Sequence, residues 1–200
     1  DDFKIDVSYA KGNTKNVIST SGGSPSFAMF GGTDRIGAYQ SIGFGQTSDA
    51  VFLPGFLTGG ATGDIKLTEA WGVRGAFNHN WDPFWSTSFW GSYAGVRYNG
   101  DAFDILSAKG QFCASFNFGK TRSADYSCNP DFNIAQVGMV TRWTPVKNLT
   151  FSGEVGAFFL DQKFTGAVGP GGAAVAAPKP VAVYEFKDQS TVYLNVRVQR

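Results

Sequence analysis

Between Phe3 and Tyr9 the chain alternates, with Phe3, Ile5, Val7 and Tyr9 on one parity and Lys4, Asp6 and Ser8 on the other. Strand side chains point to opposite faces in turn, so a period of two predicts an extended segment with one apolar and one polar side. The pattern recurs five times and predicts strands over about 2–10, 66–80, 86–98, 133–143, 149–161 and 189–200. Leu67, Trp71, Val73 and Phe77 oppose Thr68, Arg74 and Asn78 in the second. Ala135, Val137, Met139 and Trp143 oppose Gln136, Gly138 and Arg142 in the fourth. In the fifth, Phe151, Val155 and Phe159 oppose Glu154, and in the last Val192, Leu194, Val196 and Val198 oppose Tyr193, Asn195 and Arg197. The third segment conflicts with itself, because Phe89 and Trp90 are adjacent and compete for the apolar side, which a β-bulge would relieve.

A two-faced strand has two homes. In a soluble sandwich the apolar face is core; in a membrane barrel it meets lipid and the polar face lines a lumen. The connections separate the two. Short turns at 81–85 ("WDPFW") and 144–148 alternate strictly with long connections at 11–65, 99–132 and 162–188. Outer-membrane barrels alternate in this way, with short periplasmic turns on one rim and long extracellular loops on the other. Trp81, Trp85 and Trp143 stand at the short turns, where an aromatic girdle meets the membrane interface. The competing reading is a secreted β-sandwich carbohydrate-binding module with Trp81, Trp85 and Trp90 as stacking platforms. It accounts for the alternation but not for the connections or the tryptophan positions.

Composition sharpens this picture in a few places. The 26 glycines and a slightly negative mean hydropathy dilute 42% hydrophobic residues along every segment. The blandest stretch, 169–183, is broken by Pro170, Pro178 and Pro180 and reads as a flexible loop rather than a spanning helix. Nineteen Phe suit strands and interfacial belts. A net charge of +1, with both signs scattered, excludes a nucleic-acid footprint. Cys113 and Cys128, the only cysteines, sit in a polar, turn-rich stretch and predict a loop disulfide, which implies an oxidising compartment. With the single His79 far away they are too few ligands for a metal site. No cofactor motif appears, and neither does a phosphate loop, a nucleophile elbow or a paired catalytic acid and base. His79 falls on the apolar parity beside a turn, a place for a girdle or capping residue rather than a general base.

The stretches "AFNHNWDPFWSTSFWGSYAGVRYNG", "CNPDFNIAQVGMVTRWTPVKNLTFSGEV", "FFLDQKF" and "YEFKDQSTVYLNVRVQR", with "SFAMFGG" and "VFLPG" earlier, resemble the carboxy-terminal part of the general porins of alphaproteobacteria. The resemblance implies an all-β fold, the antiparallel transmembrane β-barrel of the bacterial outer membrane, with this chain covering about the last six of sixteen strands. Six strands are too few to close a barrel, since bacterial barrels begin at about eight, so the chain is expected to be a fragment of a longer polypeptide. The resemblance further implies a homotrimer in contact with outer-membrane lipid and lipopolysaccharide, passing ions and small hydrophilic solutes, with no enzyme chemistry. It places the loop that narrows such channels among earlier strands, outside this chain. By alternation, the pore-lining positions are Lys4, Asp6, Arg74, Gln136, Arg142, Glu154, Tyr193, Asn195 and Arg197, and the recurring arginines would face acidic groups across the lumen. Glu69 and Asp161 share the apolar parity but lie near the long-loop rim.

Overall fold

The computed structural model describes residues 1–18, 26–59, 62–169 and 183–200. Residues 170–182, within the stretch read above as a flexible loop, lie outside that description. In chain order the strands are β1 (Asp2–Lys11), β2 (Ser26–Gly31), β3 (Gln40–Gln46), β4 (Ala50–Leu53), β5 (Asp64–Leu67), β6 (Glu69–Asn80), β7 (Trp85–Arg97), β8 (Phe132–Val146), β9 (Leu149–Gln162), β10 (Ala167–Val168), β11 (Tyr184–Phe186) and β12 (Gln189–Gln199). A short helix α1 (Gly55–Thr58) follows β4, and α2 (Ala108–Asn117) lies between β7 and β8. No helix among the described residues is long and apolar enough to cross a membrane, which says nothing of crossing by strands.

Six strands form one antiparallel sheet in the order β1-β6-β7-β8-β9-β12, the wall. Its registers run without interruption from Asp2↔Asn78 to Lys11↔Glu69 and from Glu69↔Arg97 to Asn80↔Ser86. β7 pairs with both neighbours with no shift, so the conflict at Phe89 and Trp90 is not resolved by a bulge there. Phe89 faces Phe77 and Met139 on one side, and Trp90 faces Ala76 and Gly138 on the other. The reason is room: a Cβ on Gly138 would stand 2.4 Å from the Trp90 ring, so the glycine leaves the space the indole fills. The register shift of the wall instead lies between Trp143 and Val146 in β8, where Pro145 lacks a ladder donor.

Both short connections have local causes. Asp82 Oδ1 accepts from the backbone N–H groups of Phe84 (2.7 Å) and Trp85 (2.8 Å), an Asx turn that closes the β6–β7 hairpin. Asn148 takes φ 66°, the left-handed conformation that asparagine tolerates best among non-glycine residues, and turns β8 into β9. The segment read as one strand over 66–80 divides at Thr68. Leu67 pairs with Ala50 in the separate β4–β5 hairpin, and the Thr68 N–H bonds to the Asp49 carbonyl at 3.0 Å.

The long connections gather into a cap on one rim of the wall. β10-β11-β3-β2 form a second sheet, drawn from two connections, with β11 parallel to β3. Over it packs α2, capped by the Ser107 hydroxyl, which accepts from the Gly110 N–H at 3.0 Å. The cap core is aromatic: Phe44, Phe112, Phe116, Phe164 and Phe186 are buried together around the Cys113–Cys128 disulfide. Ring pairs such as Phe164 and Phe186, 4.8 Å apart, add to the area they bury. On the cap's exterior, Thr33 donates to Glu185 (2.6 Å), and ion pairs join Asp34 to Lys187 and Arg35 to Asp125, tying the first connection to the second and third. Lys187 holds the Asp34 carboxyl below its ordinary range, and Ser123 and Arg35 do the same for Asp125.

Candidate functional site

The wall has two faces of different chemistry. On the outer face, aligned across strands by register, lie Phe3 and Phe77, Val7 and Val73, Met139 and Val155, and Val155 and Leu194. These side chains are uncovered, and Val7, Leu194 and Val196 each keep about three quarters of their surface, at 77%, 76% and 74%. An apolar band of this extent on a water-exposed sheet would be an aggregation site, and it is a lipid-facing surface in a membrane wall.

Two rims bracket the band. Toward the short turns, Trp85 and Trp143 are register partners stacked at 5.7 Å, and Phe151 continues the stack on Trp143 at 5.4 Å. Trp81 donates from Nε1 to the Thr87 hydroxyl (3.0 Å) and packs edge-on against His79, whose Nδ1 lies 2.8 Å from an Asp1 carboxylate oxygen. Toward the cap, a hydrogen-bonded polar row crosses the strands: Lys11 with Glu69 at 2.9 Å, then Arg97 to Asn133 (2.6 Å) and Asn133 to Asp161 (2.7 Å). Glu69 and Asp161 thus stand on the outer face at its loop rim, where their partners satisfy them.

The register puts Lys4, Asp6, Arg74, Gln136, Arg142, Glu154, Tyr193, Asn195 and Arg197 on the opposite, inner face. Arg74 Nε donates to Asp6 at 3.1 Å directly across the β1–β6 pair. Among the described residues Arg142 forms no ion pair; it donates to the Ser88 hydroxyl (2.7 Å), which donates on to Asn78 (2.7 Å). Glu154 accepts from the Tyr193 hydroxyl at 3.1 Å, and the Tyr193 ring crosses Gly156, where a Cβ would come within 2.6 Å of it. Arg142, Glu154, Asn195 and Arg197 line one hollow at the turn end of this face, with Trp90.

Parity did not reveal that the inner face changes character along its length. Toward the cap it carries Ala70, Val96, Phe132, Ile134 and Leu160, all buried, with Val17, Ile18, Phe27 and Met29 of the first connection packed on them. The Phe27 ring meets Phe132 edge-on at 5.6 Å. The resemblance places the narrowing loop outside this chain; within it, Val17, Ile18, Phe27 and Met29 of the first connection pack across the cap end of the inner face. The physical reason is the apolar patch itself, which would otherwise stand in water. Sequence inspection missed this because Val96, Ile134 and Leu160 sit at strand ends, where a few residues do not show a period.

The three tryptophans of a carbohydrate platform do not share a face: Trp90 is on the inner face, Trp85 on the outer, and Trp81 in the turn that closes on Trp85. Cys113 and Cys128 are bonded, with Cα atoms 5.9 Å apart. Among the described residues no cluster of His, Cys, Asp and Glu has the grouping to hold a metal ion.

An antiparallel wall with an exposed apolar band, an aromatic rim and a polar reverse face defines the class of β-structured membrane proteins. A family model described as the porin subfamily matches residues 3–195, and the chain belongs to that family. No curated protein and no solved structure matches the chain. A porin is a channel of the bacterial outer membrane rather than an enzyme, and the all-β wall and loop disulfide agree with that assignment.

Proposed function

We propose that the protein is a general diffusion porin, passing ions and small hydrophilic solutes through a water-filled β-barrel whose wall includes these six strands. The observation that carries this reading is the division of the wall: Asp6, Arg74, Gln136, Arg142, Glu154, Tyr193, Asn195 and Arg197 share one face while the other presents only an apolar band between two rims. A hydrated solute needs no binding chemistry to pass such a wall. It needs polar groups that replace stray contacts with water and fixed charges that bias which ion enters. In the proposed assembly the protein is a homotrimer, the apolar band meets lipid or a neighbouring protomer, and the polar row from Lys11 to Asp161 lies at the lipopolysaccharide headgroup level.

The test is planar-bilayer conductance of the native full-length protein in detergent. Ohmic steps that close in thirds support a trimeric diffusion pore. A protein that stays soluble in plain buffer and conducts nothing would overturn the reading.

A further inference from the structure

Between the folded-in first connection and the wall lies a cleft of about 740 Å³, within the size range of small-molecule sites. It sits where the inner face passes from apolar to polar. Lys15 and Phe27 form its roof; Arg74, Ser92, Gln136 and Phe158 belong to its floor. We infer that this cleft binds small organic monoanions with an apolar body, of which an aromatic carboxylate is the simplest. The inference deepens the pore reading by naming a solute class that the inner face would hold in transit.

Charge selects the sign of the ligand. Lys15 and Arg74 both line the cleft, and no carboxylate does among the described residues. Arg74 gives Nε to Asp6 and keeps the side chain 64% exposed, so the remaining N–H groups of its planar fork stay available to an oxyanion. A cationic solute would meet two like charges. A neutral sugar would displace water from an ammonium and a guanidinium without replacing it by a charged partner. Gln136 and Ser92 add neutral polar groups beside the guanidinium.

The apolar half selects the body of the ligand. Phe27 and Phe158 stand on opposite sides of the cleft, near the packed Phe132, and inorganic phosphate would leave that surface unused. An aromatic ring with one carboxylate satisfies both halves at once. The cleft continues into a neighbouring hollow through shared Arg74, Ser92 and Gln136, where Lys4 and the Arg74-paired Asp6 carry opposite charges.

Fluorine NMR of the full-length protein in detergent, titrated with fluorobenzoate, fluorobenzyl alcohol and fluorobenzylammonium, tests this directly. The acid should bind more tightly than the other two, and Lys15→Glu should weaken it by about tenfold. Lys15→Gln should fall between, and Lys147→Glu, the same charge change in the β8–β9 turn at the opposite rim, should leave binding unaltered. Equal binding of acid and alcohol, or an unchanged affinity in both Lys15 variants, would overturn the proposal. Conductance of the same preparation keeps the two readings apart: a conducting protein without anion preference in binding loses the site and keeps the pore. A non-conducting protein that binds the acid through Lys15 keeps the site and loses the pore.

Discussion

Leu160 and Glu154 stand on the same face of β9, yet Leu160 is 2% exposed beneath the cap while Glu154 meets a polar hollow with Arg142 and Arg197. The same contrast holds for Ile134 and Arg142 on β8. One strand face therefore serves two environments. Alternation says which residues share a side; what covers that side is decided by segments remote in sequence, here the first connection.

The contrast can be broken at its buried end first. Phe132→Ala removes a ring that is 0% exposed and should lower the unfolding free energy of the full-length protein by about 4 kcal/mol in a denaturant titration. Asn195→Ala at the turn end should cost less than about 0.5 kcal/mol. Equal losses would mean that both ends have the same surroundings. On the other face, Val155→Lys puts a charge in the middle of the apolar band and should cost about 3 kcal/mol, read as the folded fraction after insertion into lipid vesicles. An unchanged fraction would put Val155 against water.

Replacing Cys113 and Cys128 by Ser opens a link between residues 15 apart, worth at most about 3 kcal/mol on chain-entropy grounds. The effect should stay in the cap, seen as faster proteolysis within 98–131 with conductance retained. Glu154→Lys changes the wall by two charge units in a watery setting. At about 1 kcal/mol per close pair it should shift the reversal potential toward anions by a few-fold change in permeability ratio.

The smallest effect concerns Lys120 in the cap. Its amine lies 3.5 Å from the Phe116 ring centre without a hydrogen-bond partner among the described residues, and burial pushes it down to about 8. Between about 8 and the ordinary 10.5 the unfolded chain holds more protons than the folded one, so cap stability rises with pH across that window. Lys120→Met should flatten the rise, measured as the pH dependence of proteolysis within the cap.

The wall was legible because its strands are long enough to show a period and because turn chemistry, Asp82 with Pro83 and Asn148 after Lys147, marks their ends. The cap was not. Its strands run from two residues in β10 to seven in β3, and β11 pairs with β3 across a separation no local pattern reports. The shared face of the nine charged and polar wall positions follows from parity alone. The facing of Trp90 depends on the space at Gly138, which only the register supplies. The cleft was invisible for the same reason: Lys15 belongs to the first connection and Arg74 to β6, and they line one cleft only once that connection folds inward.

Gln189 opens β12, and its side chain reaches into the cap sheet, donating to the Ser41 hydroxyl at 2.8 Å. A Cβ on Gly31 would fall 2.4 Å from its Oε1, and one on Gly43 2.7 Å from its Cγ. The cap is thereby keyed to the last strand of the wall like a lid cut for one box. Its base therefore cannot be exchanged for that of another porin unless Gln189 and the two glycines travel together.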